Sequence, residues 1–256
     1  MKAFLLAAGI GTRLRPLTND IPKCLLPIGG KPLLQIWLEH LSNHGIDEVL
    51  VNTHWHHEKV EEYIRREHSA ESIAKSAKGS KQQQRKKWPE IRLFYEPELL
   101  GSAGTLLANR DWVADGQPFF ILYGDNLTNV NLTRMLAFHR QHGMPFTLGV
   151  FKTETPSQCG IAELGEGGVV KGIVEKPENP KSNLAAAGIY VADQKIYDFF
   201  PQERDSLKPL DLSFHVLPNL VGRMKAYLID FLIDIGTADS YERAQKASAD
   251  YADFAD

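Results

Sequence analysis

The chain has 256 residues, a 43% apolar fraction, 24% charged residues and a formal net charge of −3. A chain of that length buries roughly three quarters of its unfolded surface, so disorder and a globally basic nucleic-acid binder are both excluded. Cys24 and Cys159 form no metal-binding spacing, which points to a reducing, cytoplasmic setting, and no apolar run approaches the length of a membrane span.

Met1-Lys2 followed by Ala3–Ile10 imitates a secretory leader, but the apolar stretch is short and runs directly into Gly11-Thr12-Arg13. Ala3–Ala8 reads instead as a strand buried on both faces of a parallel sheet. Leu34, Trp37, Leu38 and Leu41 recur at helical spacing ahead of Gly45, which predicts a helix over Pro32–His44. Val49–Thr53 is predicted as a strand, His57–His68 as a helix, Ile91–Tyr95 as a strand, and Phe119–Tyr123 as a strand closing on Gly124-Asp125. A helix over Asn131–His142 leads into short strands at Thr147–Lys152, Gly160–Leu164, Val169–Glu175 and Ala187–Val191, with Gly165–Gly168 as a hairpin turn. Helix near Leu212–Leu220, strand over Ala226–Ile233 and helix over Ala238–Ala249 complete the chain. The alternation predicts an α/β fold: a Rossmann-like mixed, mainly parallel sheet flanked by helices, with a small antiparallel β subregion in the second half. One domain is expected over residues 1–256.

The segment Ser69–Trp88 differs in kind, carrying six lysines and arginines against Glu71 alone. It reads as a basic, solvated insertion at 69–88 between a helix and a strand.

The strongest chemical signal is Leu6-Ala7-Ala8-Gly9-Ile10-Gly11-Thr12-Arg13-Leu14, continued by Pro22-Lys23, Pro27 and Lys31-Pro32. Glycines after a buried strand let a polyphosphate approach the backbone, and Arg13 and Lys23 supply positive charge. The dinucleotide fingerprint fails, because Leu14 occupies the place of its third glycine. Asp125 and Asp234 are each predicted at a strand end, where open α/β sheets bind ligands.

Together with Glu96-Pro97-Glu98-Leu99-Leu100-Gly101-Ser102-Ala103-Gly104-Thr105, Glu175-Lys176-Pro177, Ala187-Gly188-Ile189-Tyr190 and Asp234-Ile235-Gly236-Thr237, this segment resembles the signatures of the sugar-1-phosphate nucleotidylyltransferases, in the family's order. The resemblance implies an enzyme that joins a nucleoside triphosphate to a sugar 1-phosphate and releases pyrophosphate. It implies Mg2+ on Asp125 and Asp234, and Arg13, Lys23 and Asp125 as the catalytic set. Leu6, Ala8, Gly9, Gly11, Thr12, Arg13, Glu96, Gly101 and Gly104 become nucleotide-binding residues; Gly160, Glu175, Lys176 and Asn183 become sugar-phosphate-binding residues.

Glu96 stands where uridylyl and thymidylyl relatives generally place glutamine, and a carboxylate complements the two adjacent donors of guanine. Leu100-Gly101-Ser102-Ala103-Gly104 also resembles the guanylyl branch, so the resemblance implies GTP with mannose 1-phosphate or a similar sugar phosphate as the expected pair. The same reaction with UTP, CTP or dTTP is the alternative, and a silent nucleotide-sugar-binding regulator is a reading from another class. No nucleic-acid or membrane partner is expected, and homo-oligomerisation is left open. Among other residues, Cys24 is expected to be an inert packed thiol, and His139 and His142 surface residues on one helix face.

Overall fold

The computed structural model describes residues 1–76, 88–202 and 209–251. In chain order the strands are β1 (Lys2–Leu6), β2 (Pro27–Ile28), β3 (Lys31–Pro32), β4 (Glu48–Thr53), β5 (Glu90–Tyr95), β6 (Phe119–Tyr123), β7 (Asn126–Thr128), β8 (Phe146–Lys152), β9 (Gly160–Leu164), β10 (Val170–Glu175), β11 (Leu184–Ala192), β12 (Met224–Leu228) and β13 (Leu232–Asp234). The α-helices are α1 (Leu33–Asn43), α2 (His57–Ser76), α3 (Ser102–Ala108), α4 (Leu132–His142) and α5 (Ala238–Tyr251).

A nine-stranded sheet runs β10-β9-β11-β6-β1-β4-β5, with β8 pairing both β11 and β12. β1 pairs in parallel with β4 and β6, and β4 with β5. β11 is antiparallel to β6 and β8, so the sheet becomes mixed in its second half, as expected. Because successive side chains leave opposite faces of a strand, Ala3 and Leu5 pack with Leu34, Trp37, Leu38 and Leu41 of α1. Phe4 instead joins Leu50, Ile121, Leu148 and the α3 residues Ala103 and Leu106. Ala3, Phe4 and Leu5 are all fully buried, which accounts for an uninterrupted apolar run where a one-sided sheet would alternate. Each fully buried Leu or Phe contributes about 1.5–3 kcal/mol relative to its exposed state.

Helix boundaries follow local chemistry. Asn131 caps α4, its side chain accepting from Arg134 N, and Gly143 ends the helix in the left-handed region. Thr237 Oγ1 accepts from Ser240 N at 3.2 Å at the start of α5.

Four expectations change. α2 runs past His68 to Ser76, so the basic segment begins as helix, while its residues 77–87 lie outside the described residues. The strand predicted over Ala226–Ile233 is two: β12 pairs with β8 in the main sheet, and β13 forms a separate antiparallel ladder with β7. The helix predicted over Leu212–Leu220 is a π turn at Leu212–Val216 followed by a 3-10 turn holding Pro218, which has no N–H to continue a ladder. The Ser102–Ala108 stretch, where the sequence pattern predicts no element, forms α3. None of the described helices is long and apolar enough to cross a membrane.

Candidate active site

The site lies at the carboxyl edge of β1, β4 and β6, where Leu6, Gly9, Lys23, Gly124 and Asp125 line a cleft. After β1 the chain turns through Gly11 at φ 71°, a left-handed conformation that favours glycine. A Cβ there would stand 3.0 Å from Thr18 Cγ2. The Gly11 carbonyl accepts from Leu14 N at 3.0 Å and from the Thr18 hydroxyl at 2.7 Å, which closes the turn. Thr12 and Arg13 are exposed in the 3-10 turn that follows, Ala8 is buried, and Gly9 has open space where a side chain would project.

Lys23 is almost fully buried, and its Nζ donates to Asp125 Oδ2 at 2.6 Å. Asp125 reaches this point because Gly124 N donates to Leu6 O at 2.8 Å, an approach at which any Cβ on Gly124 would lie 3.1 Å from that carbonyl. The β7–β13 ladder brings in the second aspartate: Asp234 pairs with Asn126, and Ile235 N donates to Asp125 O at 2.9 Å. Burial, then the charge of Asp125, raises the Asp234 carboxyl above the ordinary aspartate range against the opposing pull of Lys23 and Arg13. A Cβ on Gly236 would lie 3.0 Å from an Arg13 guanidinium nitrogen and 3.2 Å from Asp234 Oδ1, so both side chains flank that glycine. Two neighbouring carboxylates with hard oxygen donors fit a magnesium-type cation completed by water and phosphate oxygens. No cluster of three or more metal-ligating side chains occurs among the described residues.

In the second half of the sheet, Gly160 and Glu175 face each other across β9 and β10. A Cβ at Gly160 would sit 2.7 Å from Glu175 Oε2, so the glycine makes the space the carboxylate occupies. Partial burial raises the Glu175 carboxyl, and neighbouring Lys176 partly offsets this. Lys176 is exposed at φ 46°, an uncommon conformation for a non-glycine residue, and its N–H donates to Cys159 O at 3.0 Å. The Cys159 thiol feels the charges of Asp234, Glu175 and Lys176 together, so all three lie within electrostatic reach of one side chain. The Asn183 carbonyl accepts from Thr153 N at 2.9 Å, just past the end of β8.

The loop after β5 differs from its expected arrangement. Glu96 is 1% exposed, and both carboxyl oxygens turn inward. Oε1 accepts from Asn52 Nδ2 at 2.8 Å and Thr105 Oγ1 at 2.5 Å, and Oε2 accepts from Leu100 N at 3.0 Å. The correction has a local cause: a carboxyl at the end of a buried strand takes the nearest donors of its own loop. Gly101 and Gly104 make room for protein as well. A Cβ on Gly101 would lie 2.5 Å from Leu210 O, which accepts from Ala103 N and Gly104 N at 2.9 and 3.0 Å. Asn52, Thr105 and Asp211, which binds the Ser102 hydroxyl at 3.1 Å, escaped sequence reasoning. The one available signal was a polar Asn inside the apolar run Val49–Thr53.

Elsewhere, Cys24 is buried, which pushes its thiol up to about 12 and leaves it unreactive. His139 is not a surface residue. It is 2% exposed between Thr147 at 2.8 Å and Asp193 at 3.3 Å.

The chain is 32% identical over 239 residues to mannose-1-phosphate guanylyltransferase catalytic subunit beta of Drosophila melanogaster, an alignment covering 92% of this chain and 59% of that protein. It is 32% identical over 247 residues to mannose-1-phosphate guanylyltransferase 1 of Arabidopsis thaliana, covering 94% and 63%. The chain thus spans about three fifths of the length of these curated relatives. Among solved structures, a UDP-glucose pyrophosphorylase complexed with UDP-glucose superposes with a TM-score of 0.76 at 24% identity, covering 98% of both chains. HddC from Yersinia pseudotuberculosis gives 0.72 at 20%, covering 96% of this chain and 99% of that one. These two show the shared fold. Residues 2–251 match the family model described as Nucleotidyl transferase, and the chain belongs to that family.

Proposed function

We propose that the chain transfers a nucleotidyl group from a nucleoside triphosphate, with GTP favoured, to a sugar 1-phosphate of the mannose 1-phosphate type. A sugar-phosphate oxygen forms the new bond to the α-phosphorus, the bond from that phosphorus to the β-bridging oxygen breaks, and its electron pair leaves with pyrophosphate. The nucleophile is ionised near neutral pH, since the second pKa of a phosphate monoester is about 6, so no general base is required. The demand is for positioning and charge neutralisation.

One observation carries the reading: Lys23 pairs with Asp125 at 2.6 Å beside Asp234, and Asp234, Glu175 and Lys176 all act electrostatically on the Cys159 thiol. Lys23 and Arg13 neutralise charge on the departing pyrophosphate. Lys176 holds the sugar phosphate, and Glu175 accepts from sugar hydroxyls. Asp125 and Asp234 would hold Mg2+, which when bound supplies further positive charge to the phosphate oxygens. The preference for guanine rests on the names of the curated relatives, since Glu96 is turned inward.

The test is pyrophosphate release from GTP, UTP, CTP, dTTP and ATP against a panel of sugar 1-phosphates with Mg2+ present. The reading expects GTP with mannose 1-phosphate or a close stereochemical relative to turn over fastest. A UTP or dTTP preference moves the base assignment, and silence of every pair favours a nucleotide-sugar-binding regulator.

A further inference from the structure

Three buried polar side chains join the two loops that the proposed function assigns to the nucleotide. Asn52, in β4, is 4% exposed. Its Oδ1 accepts from Ala7 N at 2.7 Å, the first residue after β1 and the root of the Gly9–Gly11 turn. Its Nδ2 donates to Glu96 Oε1 at 2.8 Å and to Thr105 Oγ1 at 3.1 Å. The Thr105 hydroxyl donates to the same Glu96 oxygen at 2.5 Å, and Glu96 Oε2 accepts from Leu100 N in the loop's second half. Thr105 is fully buried and Glu96 nearly so. Among the described residues no lysine or arginine pairs with this carboxyl, so these three donors alone compensate its burial. Such a network has one satisfied arrangement, and exchanging any donor for an acceptor leaves an orphan.

We propose that Asn52, Glu96 and Thr105 form a positioning strut that sets the spacing between the phosphate-binding turn and the loop Glu96–Gly101 for any nucleoside triphosphate, with Glu96 reading no base. The inference rests on the reading that these two loops bind nucleotide. Its location supports a role beyond core filling. The network sits at the carboxyl ends of β1, β4 and β5, and through Ala7 and Leu100 it touches the backbone of both loops. A strut of this kind acts on polyphosphate and base placement together, and therefore equally on purine and pyrimidine nucleotides.

Two isosteric exchanges and their combination test it. In Glu96→Gln one group must present N–H to a donor, either Leu100 N or the Asn52–Thr105 pair. In Asn52→Asp two carboxylates confront each other. In the double variant the polarity reverses without loss: the new amide donates to the new carboxylate and still accepts from Leu100 N, while the carboxylate still accepts from Ala7 N. Each single variant should lower kcat/KM for GTP and for UTP by the same factor, roughly 10- to 100-fold, with the KM for mannose 1-phosphate unchanged. The double variant should recover most of that loss. Thr105→Val, which deletes only the hydroxyl, should show the same base-independent pattern and serves if either exchange fails to fold. Equilibrium dissociation constants for GTP and UTP, measured by calorimetry, must follow the same pattern of equal loss and recovery. A wild type that binds nucleotide but turns over no sugar phosphate therefore removes the functional reading and leaves the strut to be judged on binding. A changed GTP-to-UTP ratio in Glu96→Gln, a lowered Tm with unchanged kcat/KM, a double variant no better than its worse parent, or a wild type that binds no nucleotide would each overturn the strut.

Discussion

Replacing Lys23 by methionine removes one cation from the site with little change in volume. The side chain is only 10% exposed, and its Nζ lies 2.6 Å from Asp125, which is 34% exposed. A unit charge acting on a phosphate oxygen about 4 Å away, in surroundings with an effective dielectric near 20, contributes about 4 kcal/mol. Deleting one such preorganised contact in enzymes lowers turnover by about 10² to 10³. The expected result is a kcat for pyrophosphate release reduced by that factor, with KM for the nucleotide changed far less, because charge on the leaving group is greatest in the transition state. Folding suffers less than turnover. The surviving Asp125 keeps access to water, so the loss is about 1 kcal/mol, well under the 3–5 typical when a fully buried pair is broken. Steady-state kinetics paired with thermal unfolding separate the two effects. A kcat within threefold of wild type, or a loss confined to KM, would refute the role assigned to Lys23.

Lys176→Ala should raise the KM for sugar 1-phosphate by tenfold or more and leave KM for nucleotide near its wild-type value; steady-state kinetics with each substrate varied in turn decide this. Asp234→Asn should cut turnover by about 10² to 10³, most visibly at limiting Mg2+, and near-normal rates in a magnesium titration would remove Asp234 from the site. Gly101→Ala puts a Cβ 2.5 Å from Leu210 O at φ 80°, and should lower stability by roughly 1–3 kcal/mol in urea unfolding. His40 gives a pH dependence: burial lowers its pKa from 6.5 to about 4 in the folded protein. The unfolded chain then takes the proton first, so stability is complete above pH 6.5 and falls as pH drops from 6.5 towards 4, by up to about 3 kcal/mol. Urea midpoints at pH 7 and 4.5 should show that fall, and His40→Gln should lose less between the same two pH values.

The parts of the fold that were legible in sequence are those decided by local pattern. The apolar run of β1, the Leu34–Trp37–Leu38–Leu41 stripe of α1 and the Asn131 cap of α4 each carry their own structural reason within a few residues. The Gly124-Asp125 turn was equally visible, because a strand that stops at a glycine beside β1 must deliver its next side chain to the sheet edge. What escaped depends on partners distant in sequence. Whether 226–233 is one strand or two is settled by β8 and β7, which lie in different sheets. The direction of the Glu96 carboxyl is settled by Asn52 and Thr105, and the glycine at 101 answers to Leu210, more than a hundred residues later. Residue type at a motif position therefore identified the loop but misdirected one of its side chains.

The account's central claim is attack by a sugar-phosphate oxygen on the α-phosphorus with loss of pyrophosphate, and the fate of that phosphate's oxygens tests it most directly. Mannose 1-phosphate labelled with 18O in its phosphate group should be turned over with unlabelled GTP and Mg2+, and the products analysed by 31P NMR and mass spectrometry. The account predicts that all label remains in the nucleotide sugar, including the new bridging oxygen, and that unlabelled pyrophosphate forms in equal amount. Label in the inorganic product, or release of orthophosphate in place of pyrophosphate, would contradict it.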